Sequence, residues 1–170
     1  MSQDNLRGNG DTLRSLVLAF ALRVDVGLTH WIDTHCTFPN SMVDRIVPGT
    51  GDADRQRITE RLGVQDAWPV VGEPYMNWVI EDKFAAGRPA WDSHGGATFV
   101  RNAAPYERLK LRMVNGPHST FAYLGALLGH QTISQSVQTP ALCGFVDAMM
   151  RLEIAPTLKG IRHSLSLIHI

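Results

Sequence analysis

The chain has 170 residues, 16 basic against 16 acidic, and 44% hydrophobic content, which gives a formal charge of zero and enough apolar material for one ordinary core or pieces of two. No basic stripe stands out, which argues against nucleic acid, and the longest apolar run, Leu16–Leu22, is far short of the roughly 20 residues a membrane span needs. Cys36 and Cys143 have no C-x-x-C spacing and the start M-S-Q-D-N-L-R has no apolar core, so the expectation is a cytoplasmic, thiol-reduced protein without a disulfide framework.

N-G-D-T (Asn9–Thr12) offers capping residues ahead of Leu13, Leu16, Val17, Phe20, Ala21 and Val24, a spacing that predicts an amphipathic helix over Thr12–Val24. A second short helix is expected over Leu28–His35. The segment C-T-F-P-N-S-M-V-D-R-I-V-P mixes β-branched and aromatic residues, which predicts a strand over Met42–Val47 with Pro39 outside it. Pro48–Asp54 reads as a turn and Ala53–Leu62 as a helix. The apolar run Y-M-N-W-V-I-E-D reads as strand or helix, G-R-P-A-W-D-S-H-G-G as loop, and Ala97–Arg101 as a strand. From Tyr106 onward the period is helical. Phe121, Leu124, Leu127 and Leu128 share one face, as do Leu142, Phe145, Val146, Met149 and Leu152.

Two glycine pairs, Gly8-Asn9-Gly10 and Gly49-Thr50-Gly51, read as turns, and no glycine-rich dinucleotide motif occurs anywhere. H-W-I-D-T-H-C (His30–Cys36) holds three potential nitrogen or sulfur ligands for a metal, but no catalytic-zinc spacing fits, so no metal is expected.

The chemistry-bearing segment is K-L-R-M-V-N-G-P-H-S (Lys110–Ser119). A lysine, a carboxamide and an imidazole within nine residues supply a proton acceptor, an oxyanion donor and a hydroxyl-orienting group, which oxidation of a secondary alcohol needs when no metal takes part. A lysine acts as a base only when neutral, a form that apolar surroundings favour. On a continuous helix His118 would stand about 80° and Asn115 about 140° from Lys110. Proline is tolerated only in a helix's first turn, so Pro117 points instead to Asn115 or Gly116 as the N-cap of a helix running to about Leu128, with His118 near its positive end. Taken singly, a solvated lysine, a capping asparagine and a surface histidine are the ordinary alternatives.

Several separated segments carry a further signal: V-D-R-I-V-P following F-P-N (Phe38–Pro48), E-P-Y-M-N-W-V-I-E-D-K-F, G-R-P-A-W, P-Y-E-R-L-K-L-R, V-N-G-P-H-S with A-Y-L-G (Ala122–Gly125), and D-N-L (Asp4–Leu6). Together they resemble the mannitol dehydrogenase family, the polyol-specific long-chain dehydrogenases and reductases, from about Gln3 to about Lys159. The resemblance implies a mixed α/β chain: the C-terminal edge of a Rossmann-type dinucleotide-binding domain over 1–104, then the start of an all-α substrate domain over 105–164. It implies Lys110 as general base, Asn5 and Asn115 as the pair holding the substrate oxygen as it becomes an alkoxide, and His118 as the group orienting the hydroxyl. Asp44 would be a contact in the substrate pocket, with an Asp44–Arg45 ion pair fixing a strand end as the alternative. Glu107 would relay protons or else be an exposed helix carboxylate.

The implied reaction is metal-independent hydride transfer between NAD or NADP and a small-molecule sugar acid or polyol. D-mannonate/D-fructuronate exchange (fructuronate reductase) comes first and D-mannitol/D-fructose exchange (mannitol 2-dehydrogenase) second. Arg112 does not decide between them. Relatives usually carry Ser where Pro117 stands, and the family's phosphate-cradling first βα unit should lie roughly 150 residues upstream, so the sequence reads as a fragment. The reading from another class is a non-enzymatic α-helical interaction module with an apolar patch on Phe145, Met149 and Met150. The end L-S-L-I-H-I (Leu165–Ile170) reverse-translates as CTG-TCT-CTT-ATA-CAC-ATC, a transposase adapter, and is expected to be a non-native tail.

Overall fold

The computed structural model describes residues 5–158, so Asp4 and the segment Leu165–Ile170 lie outside it. The chain divides into two compact units, the first ending at Arg101 and the second beginning at Asn102.

In the first unit, helix α1 spans Asn9–Val24 and α2 spans Val26–His35. α1 starts three residues earlier than the capping pattern suggests. Gly8 takes the left-handed conformation (φ 58°) that glycine tolerates, and its carbonyl accepts from the Thr12 amide at 2.9 Å. The start of the helix therefore does not depend on the side chain of Asn9. Asp25 caps α2 by accepting from the Leu28 amide at 2.7 Å, and an Arg14–Asp33 ion pair ties the two helices together.

Three strands come next in this unit: β1 (Ser41–Asp44), β2 (Asn77–Glu81) and β3 (Ala97–Val100), in the order β1-β2-β3. β1 is antiparallel to β2, with Ser41 opposite Ile80 and Asp44 opposite Asn77, and β2 is parallel to β3. Val79 and Ile80 are fully buried between them. β1 is shorter than the apolar pattern to Val47 suggests. Beyond Asp44 the backbone turns to Glu73, whose carboxylate accepts from the Ile46 amide at 2.6 Å and whose carbonyl accepts from Arg45 at 2.7 Å, so Ile46 and Val47 are left exposed. Helix α3 spans Asp52–Leu62.

The segment read as loop contains a one-turn helix, α4 (Trp91–His94). Arg88 pins it, contacting Asp82 at 3.2 Å and Asp92 at 3.3 Å while lying 3.7 Å over the Phe99 ring, and Trp91 stacks on Trp78.

The second unit is helical: α5 (Ala104–Lys110), a π turn (Leu111–Asn115), α6 (Gly116–Leu127), α7 (Ile133–Val137), α8 (Pro140–Ala148), a second π turn (Met149–Ile154) and a 3₁₀ turn (Ala155–Thr157). Its core is Phe121, Leu142 and Val146, with Leu124, Ile133, Val137, Met149 and Met150 packed around it. Leu127 and Leu128, expected on the core face, are exposed, because the helix ends there in a turn through Gly129 (φ 81°). Phe145 and Leu152 are likewise exposed, so the apolar face of α8 is narrower than its sequence suggests, and the second π turn rotates the residues beyond Ala148. α6 and α7 meet at Gly125, where a Cβ would stand 1.9 Å from the Ser136 hydroxyl.

Candidate active site

Lys110 is the last residue of α5, Asn115 the last of the π turn, and His118 lies in the first turn of α6. The three elements form one continuous helical rod, because Lys110, Leu111, Asn115 and Gly116 all have right-handed helical dihedrals. The rod survives Pro117 by widening. The Gly116 amide bonds to the Leu111 carbonyl five residues back, and a wider turn relieves the clash a proline ring makes with the carbonyl four residues back, here that of Met113.

This overturns part of the sequence reading. Asn115 makes no side-chain cap bond, and the Gly116 amide is consumed by Leu111 rather than left open. His118 sits inside a longer helix, where the argument from a free positive helix end lapses; its side chain is exposed.

The widening changes which side chains line up. On a regular α-helix the wheel places Asn115 about 140° and His118 about 80° from Lys110. A π turn counts as one inserted residue, which brings Asn115 to about 40° on one side and His118 to about 20° on the other. An arc of about 140° closes to about 60°. Lys110 and Asn115 are half-buried on this stripe, and Glu107, one turn before Lys110, is buried at 8% exposure, so it is not a solvated helix carboxylate. Arg112, on the π turn itself, donates to the Thr157 hydroxyl at 2.7 Å and faces the Thr157 carbonyl at 3.4 Å, which links the first π turn to the 3₁₀ turn after the second.

The first unit holds the other two candidates. Asn5 is exposed in the bend ahead of Gly8, and Asp44 ends β1 opposite Asn77. Sequence reasoning missed the groups around them. Burial pushes the Tyr75 phenol above its ordinary value of 10.0, the Asp44 carboxylate adds to this, a hydrogen bond with Asn77 opposes it, and Glu73 raises it a little further. Tyr75, Asn77 and Asp44 therefore share one end of the β1–β2 pair. A spectrophotometric titration should show a late tyrosine phase above the ordinary value, and Tyr75→Phe should remove it. A late phase that persists in Tyr75→Phe would contradict the placement. Tyr75 lies within the E-P-Y-M-N-W segment, but only the pairing of β1 with β2 reveals it as a neighbour of Asp44.

The Gly49-Thr50-Gly51 segment, read as an isolated turn, connects β1 to α3, with Gly51 as the N-cap. It does not fit a phosphate. Asp52 and Asp54 fill the first turn, the Asp54 carboxylate accepts from the Gly51 amide at 3.3 Å, and Thr50 donates to the Pro69 carbonyl. Within His30–Cys36, His35 stacks on Trp31 and Asp33 pairs with Arg14, and among the described residues no group of three or more His, Cys, Asp or Glu could hold a metal ion. No helix among them is long and apolar enough to cross a membrane.

Comparison with known proteins bears on the family and the fold. Residues 1–93 match the mannitol dehydrogenase Rossmann domain and residues 102–166 the mannitol dehydrogenase C-terminal domain. The chain is 48% identical over 159 residues to D-mannonate oxidoreductase of Escherichia coli K12, covering 94% of this chain and 32% of that protein. It is 42% identical over 164 residues to mannitol 2-dehydrogenase of Pyrenophora tritici-repentis, covering 95% and 29%. Among solved structures it is similar to a substrate-free D-sorbitol dehydrogenase (TM-score 0.88, 34% identity, 96% of this chain and 34% of that one). It is also similar to the Pseudomonas fluorescens mannitol 2-dehydrogenase ternary complex with NAD and D-mannitol (TM-score 0.81, 41% identity, 98% and 34%). The chain thus spans about a third of the length of the relatives it matches.

Proposed function

This chain belongs to the mannitol dehydrogenase family, and from that premise we propose that the full-length protein carrying it is a polyol or sugar-acid dehydrogenase. It interconverts a secondary alcohol and a ketone, using NAD or NADP. The observation that carries this reading is the helical stripe of Lys110, Asn115 and His118, brought into line by a π turn in a chain that both family domains match.

Lys110 accepts the hydroxyl proton at its amine. Asn115 and Asn5 donate carboxamide N–H bonds to the oxygen as it gains alkoxide character, so charge is met by fixed dipoles. His118 orients the hydroxyl, Asp44 contacts the substrate, and Glu107 passes on the proton that Lys110 collects. The dinucleotide, when bound, accepts or returns the hydride. Oxidation of the alcohol requires a neutral Lys110 and reduction of the ketone a protonated one, so the two directions should favour opposite sides of the pH scale.

D-Mannonate is the preferred substrate in this reading, supported by the 48% identity to a D-mannonate oxidoreductase; D-mannitol is the alternative, supported by the mannitol 2-dehydrogenase relatives. A protein that only binds partners through helices fits less well. Met149 and Met150 are packed against the core cluster rather than forming an open patch with Phe145. The test is a steady-state assay of the full-length protein on D-mannonate and D-mannitol with NAD⁺ and NADP⁺, and no turnover in any combination would sink the proposal.

We infer that Arg112 is not the group that tells acid from alcohol, because its Nη1 is turned to the Thr157 hydroxyl and carbonyl. Arg112→Met should therefore leave the ratio of kcat/KM for mannonate over mannitol within about twofold, well below the roughly tenfold or greater effect of losing a charged hydrogen bond to a carboxylate. A collapse of that ratio would make Arg112 a carboxylate clamp.

A further inference from the structure

Asn9 is 2% exposed and lies in the first turn of α1, yet its side chain bonds across to a strand. Its Nδ2 donates to the Ser41 carbonyl at 2.9 Å and to the Ser41 hydroxyl at 3.1 Å, while its Oδ1 accepts from the Ser41 amide at 2.9 Å. β1 is an outer strand of the described sheet, and on its open side the carboxamide imitates the backbone of a neighbouring strand. The next two residues repeat the attachment. Gly10 packs so closely that a Cβ would fall 2.5 Å from the carbonyl oxygens of both Phe38 and Pro39. The Asp11 amide donates to Asn40 Oδ1 at 3.1 Å, and Asn40 Nδ2 donates to the Asp11 carboxylate at 3.0 Å. Asn40 is held from its other side by the buried Glu81 carboxylate, which accepts from its backbone amide at 3.2 Å.

The clasp lies between two residues assigned to the substrate. Asn5 is four residues before Asn9, joined to it by a bend and the Gly8 turn. Asp44 is three residues beyond Ser41 on the same strand, about 10 Å along it. We propose that Asn9 is a positioning residue of the reaction: by clasping the Ser41 backbone it fixes the turn carrying Asn5 against the strand that ends in Asp44. The proposal rests on the functional reading above, in which Asn5 holds the developing alkoxide and Asp44 contacts substrate. Only a carboxamide supplies the donor and the acceptor at this spacing. A carboxylate keeps the acceptor but faces the Ser41 carbonyl with a like partial charge. A protonated carboxyl group restores both.

That difference supplies the experiment, made on the full-length protein in the direction of ketone reduction, for which a protonated Lys110 is the competent form. Asn9→Asp should lower kcat by about tenfold or more above neutrality, as a misplacement on the 1 Å scale does. It should recover toward wild type below about pH 5 as the new carboxylate takes up a proton. The Kd for NADH should stay unchanged throughout. If Asn9→Asp fails to fold at high pH, Asn9→Gln serves instead: it keeps both amide groups but shifts them by one methylene, and it should fold with lower kcat and higher KM for the sugar. Wild-type kcat in folded Asn9→Asp or Asn9→Gln overturns the proposal, even if Tm falls. Asn5→Ala is the control for the underlying reading. It should be slow at every pH, and an Asn5→Ala enzyme with undiminished kcat would refute the role of Asn5 rather than the clasp.

Discussion

Lys110→Ala in the full-length protein should lower kcat for alcohol oxidation by about 10²–10⁴-fold, the usual consequence of removing a general base, with little change in dinucleotide binding. Added primary amines should restore part of the rate, because a free amine can accept the proton in the space the side chain leaves. Asn115→Ala should also be slow but should not respond to amines, since it loses a hydrogen bond to the alkoxide and not a base. His118→Ala should be milder and should raise KM as well as lower kcat, as fits an exposed orienting group. The pattern across the three variants carries more weight than any single rate. If Lys110→Ala turned over at near-wild-type kcat across the pH range, the mechanism would be wrong and His118 would become the leading base.

Gly10→Ala should be the most damaging single methyl group in the first unit. The added Cβ would stand 2.5 Å from two backbone oxygens, those of Phe38 and Pro39, and neither can move without dragging the chain into Ser41 and the Asn9 clasp. Overpacking against side chains typically costs about 1–3 kcal/mol, so a clash with fixed carbonyls should cost about 3 kcal/mol or more. Urea denaturation of the purified variant, or its failure to accumulate as soluble protein, measures this. A loss below about 1 kcal/mol would mean that α1 can slide away from the Phe38–Pro39 segment at little cost.

Much of the first unit was legible because its signals are local. The β-branching around Met42 and the pattern at Ala97–Arg101 place two strands, the run around Trp78 leaves strand and helix open, and the stretch after the Pro48–Asp54 turn places α3. The illegible parts depend on partners distant in sequence. Asn9 beside a glycine reads as a turn or cap, and only the fold brings Ser41, thirty-two residues away, to its side chain. Strand β1 stops at Asp44 because Glu73 captures the following backbone, which no pattern in Ile46 or Val47 announces. In the second unit, Lys110, Asn115 and His118 were identifiable by residue type and resemblance, but their alignment was not. Helical periodicity assumes about 3.6 residues per turn, and a π turn breaks that count at the segment that matters. Pro117 was the visible clue. It pointed to an interruption and not to its form.

Helices rarely accept a lost or gained residue, because everything beyond the change rotates by about 100° and leaves its packing. The segment Leu111–Asn115 is different, since it already holds the surplus residue in its widened turn. Deleting one residue there would return the rod to regular α-geometry while leaving Ala103 and Glu107 on one flank, and Phe121 and Gly125 on the other, in phase with their packing partners. The shortened helix would gain regular backbone hydrogen bonds and still hold Asn115 about 40° and His118 about 20° to either side of Lys110, provided the residue removed lies within Leu111–Val114. A single-codon deletion there is therefore one that this rod should absorb without unfolding and without scattering the three side chains.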